Sequence, residues 1–346
     1  MLLVILGAGA SYDSAPSRPP NNGNYSSLPN RPPLTDDLFG NRAYFGQVMQ
    51  KYHDCLDIAP RLRHLQDGVS LESVLQLYQS EASEDLVRVQ QLAAVRYYLQ
   101  EILTVCPNQW IAESHDMFNH RTLLDDIRHW RKNEERVCFV TFNYDTIIDS
   151  ALIRAGFPLA DLSQYISREF MLIKLHGSVN WGRVVASPLT GGILQHPDLV
   201  ATELISRSGS SNISQEYVMT SGTPPASQEN RGIFPALAIP VESKLEFECP
   251  QDHIEALKSF LPHVTKVLSI GWRATEKPFL DLLKDGLKTP APHIMIVNGG
   301  TDQAQTPANN LLHVLQPAGI RARYNMLDVG FTDFILRGRG RELLSA

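Results

Sequence analysis

The chain has 346 residues, a formal net charge of -6 and 43% hydrophobic residues, which excludes the disordered, fibrous and membrane-spanning classes. Its acidic balance gives no global attraction to nucleic acid or to an anionic membrane, and no direct nucleic-acid binding is expected. Cys55, Cys106, Cys138 and Cys249 are far apart and form no CxxC pair, so neither a zinc ribbon nor a disulfide framework is expected.

In chain order, Leu2 to Leu6 is a continuous aliphatic run ending in Gly7-Ala8-Gly9-Ala10-Ser11. A run apolar at every position suits a strand buried on both faces of a parallel sheet, and the glycines mark a tight strand-to-helix turn. Residues 14 to 34 are dense in Pro, Ser, Asn and Gly and predict a long loop. From about 43 to 131, apolar residues recur at intervals of three and four, as in Leu71, Val74, Leu75 and Tyr78, which predicts a helical insertion.

Val137 to Phe142 is the next buried strand, followed by Asn143-Tyr144-Asp145 and an amphipathic stretch for which Asp145 is placed as N-cap. Phe170 to Leu175 is another apolar run, ending at His176-Gly177-Ser178. Residues 183 to 250 are rich in Ser, Gly and Pro, and irregular, lid-forming structure is expected there. Helix and strand then alternate: His253 to Phe260, Val264 to Ile270, Thr275 to Leu287, His293 to Val297 and Gln303 to Leu315. The pattern predicts an α/β, Rossmann-like, doubly wound and mostly parallel sheet within a single domain spanning residues 1–346. No uninterrupted run of about 18 apolar residues occurs, and Met1 to Leu6 is too short for an export signal, so the chain is expected to be cytoplasmic with no membrane span.

In such sheets ligands bind beyond the carboxyl ends of the strands. Those ends carry Gly7-Ala8-Gly9, Asn143-Tyr144-Asp145, His176-Gly177-Ser178, Gly271-Trp272-Arg273 and Asn298-Gly299-Gly300, and their coincidence points to one site. Gly7, Ala8 and Gly9 bring backbone N–H groups to a pyrophosphate, with a helix N-terminus behind them. Tyr12 stands where a third glycine would complete GxGxxG, so a plain tight turn remains open. Asn143 and Asp145 direct an amide and a carboxylate into one cleft, or serve as turn residue and helix cap. His176 is the candidate general base, with a structural histidine closing a strand as the alternative. Trp181 is a base-stacking or core aromatic. Asn298 meets a ribose or belongs to an ordinary Asn-Gly-Gly turn.

Taken together, Leu6-Gly7-Ala8-Gly9-Ala10-Ser11, Thr141-Phe142-Asn143-Tyr144-Asp145, Leu175-His176-Gly177-Ser178-Val179-Asn180-Trp181 and Ile270-Gly271-Trp272 resemble motifs of the sirtuin superfamily. More specifically, they resemble the sirtuin-like NADase domains of bacterial antiviral defence systems. The resemblance implies a Rossmann-like site for NAD as substrate, with Asn143 and His176 catalytic. It places Asp145 on the ribose side, and Gly7, Ala8, Gly9 and Ser11 in the phosphate-binding turn; Gly271 and Asn298, by their place at the ends of later strands, are expected to complete the contacts. Sirtuin deacetylases carry a four-cysteine zinc module after the histidine motif, whereas only Cys249 follows His176 here; no metal is expected. NAD hydrolysis therefore ranks ahead of protein deacylation, ADP-ribosyl transfer, or a non-catalytic subunit sensing NAD or ADP-ribose. A homo-oligomer, or a complex with a separate sensor such as a translocase ATPase or an Argonaute-like protein, is expected as the partner.

Overall fold

The computed structural model describes residues 1–20, 28–66, 68–131, 135–189, 192–225, 227, 231–241, 246–300 and 303–345. Part of the proline-rich stretch at 14–34, and parts of 183–250, lie outside these. Nine strands occur among the described residues: β1 (Leu2–Leu6), β2 (Val137–Thr141), β3 (Phe170–Lys174), β4 (Gly177–Pro188), β5 (Ile213–Met219), β6 (Arg231–Leu237), β7 (Lys266–Ile270), β8 (His293–Val297) and β9 (Arg323–Leu327). The helices begin with the five-residue α1 (Ala8–Tyr12), then α2 (Ala43–Lys51), α3 (Ala59–Arg63), α4 (Leu71–Glu81), α5 (Leu86–Glu113) and α6 (Asn119–Trp130). Beyond β2 come α7 (Ile147–Arg154), α8 (Pro197–Ser206), α9 (Gln251–Phe260), α10 (Lys277–Gly286), α11 (Gln305–Leu315), α12 (Phe331–Leu336) and α13 (Arg341–Ser345).

The chain expected to be one domain groups into two compact units. The first comprises Met1–Pro32, Pro107–His176 and Lys244–Ala346. Its sheet has the order β3-β2-β1-β7-β8-β9, and every neighbouring pair is parallel. Chain order therefore runs outward from β1 in one direction and from β7 in the other. This is the six-strand order of a Rossmann-like, doubly wound α/β sheet, with its switch point between β1 and β7.

Strand alternation assigns the faces. Leu3, Ile5, Val140, Ile173, Val267 and Ile296 pack in one core with Leu257 of α9, Leu283 of α10 and Leu311 of α11. On the other face, Lys174 of β3 reaches Asp149 of α7. β9 has no buried apolar run, only Arg323-Tyr324-Asn325-Met326-Leu327, of which Arg323 and Met326 are exposed and the rest half-buried. It is an edge strand, which is why periodicity gave no sign of it.

His120 sits on α6, buried, edge-on to Phe331 at 5.1 Å between ring centroids, and its Nδ1 has no partner among the described residues. Burial pushes its pKa down from 6.5 to about 3. Below pH 6.5 the unfolded chain takes up a proton that the folded one refuses, so stability is full above that pH and falls as the pH drops toward 3. The loss attributable to His120 at pH 5 is about 2 kcal/mol. Urea unfolding at pH 7 and pH 5 should show that increment in the wild type and lack it in His120→Phe; an equal pH difference in both proteins would contradict the assignment.

The second unit comprises Pro33–Cys106 and Gly177–Ser243. Here the expectation of irregular, lid-like structure over 183–250 is corrected. β5, β4 and β6 form a three-stranded antiparallel sheet in that order, and α8 lies between β4 and β5 in the chain. The prolines that argued against a strand fall where one is tolerated, with Pro235 on the edge strand β6. The helical segment supplies the order that composition concealed. From α5, Tyr97 Oη donates to Ile233 O (3.2 Å), Arg96 Nε to Leu237 O (3.0 Å) and Gln100 Nε2 to Val179 O (3.0 Å). Backbone acceptors of the small sheet are thereby met by side chains more than 70 residues away.

Among the described residues, no helix is long and apolar enough to cross a membrane.

Candidate active site at the carboxyl edge of the parallel sheet

Register places the motif residues in one row. Lys174, Thr141, Leu6, Ile270 and Val297 are paired across successive strands. The residues that follow each of them leave the sheet at the same edge. Neighbouring strands lie about 4.8 Å apart, so the segments bearing His176, Asn143, Gly7, Gly271 and Asn298 stand side by side in that order.

At the switch point the glycines serve backbone packing. A Cβ on Gly7 would lie 2.4 Å from Gly271 O, and one on Gly271 would lie 2.4 Å from Ala10 N. Gly271 also adopts φ +62°, in the left-handed region that favours glycine. Gly7 N donates to Ile270 O (3.0 Å) and Gly9 N to Gly271 O (3.2 Å). The structure therefore directs these two N–H groups into the sheet, where the sequence expectation aimed them at a phosphate. Ala8 opens α1, and a five-residue helix carries little of the dipole that the expectation invoked.

Asn143, Ser11 and Asp145 form a connected network. Asn143 Nδ2 donates to Gly7 O and to Ser11 Oγ, both at 2.8 Å, and Ser11 Oγ donates to Asp145 Oδ2 at 2.6 Å. Because a backbone carbonyl only accepts, the Asn143 amide is fixed with its nitrogen inward and Oδ1 turned the other way. Thr141 clamps the turn from below, its Oγ1 accepting from Asn143 N at 3.0 Å and donating to Leu6 O at 3.0 Å. Asp145 Oδ1 also accepts from Ile147 N, the first residue of α7, at 3.0 Å, but Thr146 occupies the N-cap position, so Asp145 stands one residue before the cap that the sequence assigned to it. Burial pushes the Asp145 carboxyl above its ordinary range, opposed by the Ser11 and Ile147 hydrogen bonds and the Lys174 charge.

His176 lies two residues beyond β3, its ring 5.0 Å from that of Phe142 and 6.1 Å from that of Tyr144. Phe142 stacks on Trp272 with centroids 5.5 Å apart and planes 8° from parallel, and Trp272 Nε1 donates to Glu276 Oε2 at 2.6 Å. An aromatic wall thus runs from the β3 end to the β7 end beside the polar network. Gly177 lets its own backbone approach β6: it has φ +81°, and a Cβ there would lie 1.8 Å from Ala236 O. Asn298 follows β8 and donates from Nδ2 to Trp272 O (3.3 Å) and Gln303 O (3.2 Å), tying two loops of the same edge together. Trp181 is fully buried on β4 in the second unit, a core residue.

Sequence reading passed over Lys174, taken as part of an apolar run. It is fully buried, with Nζ 2.9 Å from Asp149 Oδ2 and 2.6 Å from Asp145 O. Tyr165 Oη completes the cluster, donating to Asp149 Oδ1 at 2.7 Å. The available signal was the charge itself, since a lysine inside a buried strand requires an acidic partner. Arg31 was likewise missed. It is fully buried, donating to Tyr12 O (2.7 Å) and Arg18 O (2.6 Å), with its guanidinium 4.7 Å from the centroid of the Trp110 ring. Among the described residues, no group of three or more His, Cys, Asp or Glu side chains is arranged to hold a metal ion.

Fold and site together define a Rossmann-like α/β protein whose polar residues gather at the carboxyl edge around its topological switch. No protein-family profile and no curated protein matches the chain. Among solved structures, it is similar to one described as "The Structural basis of Sirtuin Substrate Affinity". That match has 14% identity and a TM-score of 0.35, over 97% of this chain and 92% of the other. A TM-score of that size carries no weight for activity, and the fold assignment stands on the strand order.

Proposed function

We propose that the protein is an NAD+ hydrolase that cleaves the nicotinamide–ribose bond to give nicotinamide and ADP-ribose. The observation that carries this reading is the Asn143–Ser11–Asp145 network, held beside His176 at adjacent strand ends. The motif resemblance supports the choice of NAD. In this reading the C1′–N bond breaks with its electron pair passing to the nicotinamide nitrogen, which leaves neutral. Positive charge develops on the ribose, and the Asp145 carboxylate favours it electrostatically. A water oxygen then bonds to C1′ and its proton passes to His176 and on to solvent. Asn143 Oδ1, the amide atom turned away from Gly7, orients that water or a ribose hydroxyl. Trp272 and Phe142 shield the reacting centre from bulk water.

The reading extends to a biological role through the resemblance alone. The enzyme is the NAD-depleting effector of a bacterial antiphage, abortive-infection system, acts in the cytoplasm, and is restrained until self-assembly or a separate sensor subunit releases it.

Asp145→Asn provides a specific test. The new amide donates to Ser11 Oγ, so the Ser11 hydroxyl receives hydrogen bonds from both sides and its own proton loses its acceptor. The expected result is a fall in kcat for nicotinamide release of roughly 10- to 100-fold, with the hydrogen bond to the start of α7 retained because Asn still accepts from Ile147 N. Steady-state kinetics on NAD would check it; an unchanged kcat would remove Asp145 from the mechanism.

A further inference from the structure

We propose that Lys174 is a positioning residue for the site, holding the Asn143–Tyr144–Asp145 turn through the Asp145 carbonyl while Asp149 and Tyr165 fix its ammonium group. The proposal deepens the hydrolase reading and, for its kinetic part, rests on it. The geometry connects the two segments that carry the chemistry. Lys174 is the last residue of β3, two positions before His176, and its Nζ reaches across to the Asp145 carbonyl at 2.6 Å. Asp149, in the first turn of α7, receives the same ammonium at 2.9 Å, and Tyr165 supplies a second hydrogen bond to that carboxylate.

Lys174, Asp149 and Tyr165 are all essentially inaccessible to solvent. A buried ion pair of this kind adds little net stability compared with apolar residues of the same volume, because desolvation offsets the attraction. What such a cluster does supply is a fixed arrangement. An ammonium with three donors, two of them directed at Asp145 O and Asp149 Oδ2, leaves the turn one position relative to β3. His176 and Asn143 thereby keep a common register although they belong to different strands. The groups facing the Asp145 carboxyl are Ser11 from α1, Lys174 from β3, Asp149 from α7 and the Ile147 amide. Lys174 and Asp149 act on its charge in opposite senses, the first favouring the carboxylate and the second disfavouring it.

That opposition gives a test that a merely structural role would not pass. Lys174→Gln and Asp149→Asn are purified, and the Asp145 carboxyl is followed by carbon NMR across pH without NAD, its signal assigned by its loss in Asp145→Asn. The titration should move up in Lys174→Gln and down in Asp149→Asn. In the same proteins kcat on NAD should fall roughly 10- to 100-fold with KM within about threefold, as expected for displaced reacting groups. Should either single variant fail to fold, the double variant Lys174→Met/Asp149→Asn, which removes both buried charges together and the ammonium that holds the Asp145 carbonyl, decides by its kcat. Titrations that move in the same direction or not at all, or a kcat within twofold of wild type in an active enzyme, would overturn the proposal. Opposite titration shifts in a protein whose wild type releases no nicotinamide would uphold Lys174 as the anchor of the turn and refute the hydrolase reading instead.

Discussion

Asn143→Ala is expected to lower kcat for nicotinamide release by about 10²- to 10³-fold, the range seen when one preorganised polar group is removed from a reacting centre. The side chain links Gly7 O to Ser11 Oγ at 2.8 Å each. Its loss therefore frees Ser11 to rotate and removes the oxygen that orients the ribose or water. The structural cost should be smaller, about 1–3 kcal/mol for the acceptors left behind. Asn143→Asp separates the effects further. It keeps the shape but sets an acceptor against the Gly7 carbonyl, so it should lose as much activity as the alanine variant and more stability. Unfolding midpoints beside single-turnover rates would check both; a rate loss accounted for by the unfolded fraction would assign Asn143 to the turn alone.

Gly271→Ala is expected to have the largest effect on stability. The residue occupies φ +62°, and the new Cβ would meet Ala10 N at 2.4 Å and Gly9 C at 2.6 Å. These are backbone atoms at the β1–β7 junction and cannot swing aside as a side chain can. Left-handed strain of about 1–3 kcal/mol adds to an overpacking cost of about 1–3 kcal/mol. Gly319 is the control, also at positive φ (+83°) but with nothing within 4 Å of the place an added methyl would take. Gly319→Ala should thus show the conformational cost alone, about 1–3 kcal/mol. Urea denaturation of both variants tests the comparison, and equal losses would contradict the close approach.

The sheet was legible because its central strands are buried and almost wholly apolar, as in Leu2–Leu6 and Val137–Val140, and because each ends in a polar or glycine-bearing turn. The order of those ends across the sheet placed Asn143 and His176 side by side. Three things were not legible. The antiparallel sheet formed by β4, β5 and β6 takes hydrogen bonds from Arg96, Tyr97 and Gln100, distant in sequence. Edge strand β9 lacks the apolar signature. The destinations of the Gly7 and Gly9 N–H groups depend on how closely β7 approaches, which a glycine pattern permits without specifying. Ser11 illustrates the same limit: its motif position suggested a phosphate contact, whereas its hydroxyl joins Asn143 to Asp145.

The most direct test of the central claim is to incubate the purified protein with NAD, alone and with proteins co-purified from the native host, and to quantify nicotinamide and ADP-ribose by mass spectrometry. Equimolar release of both products, abolished in Asn143→Ala and His176→Ala, is the predicted result. Tight NAD binding without nicotinamide release under either condition would contradict it, as would nicotinamide release only in stoichiometric step with acyl transfer from an added acyl-lysine peptide.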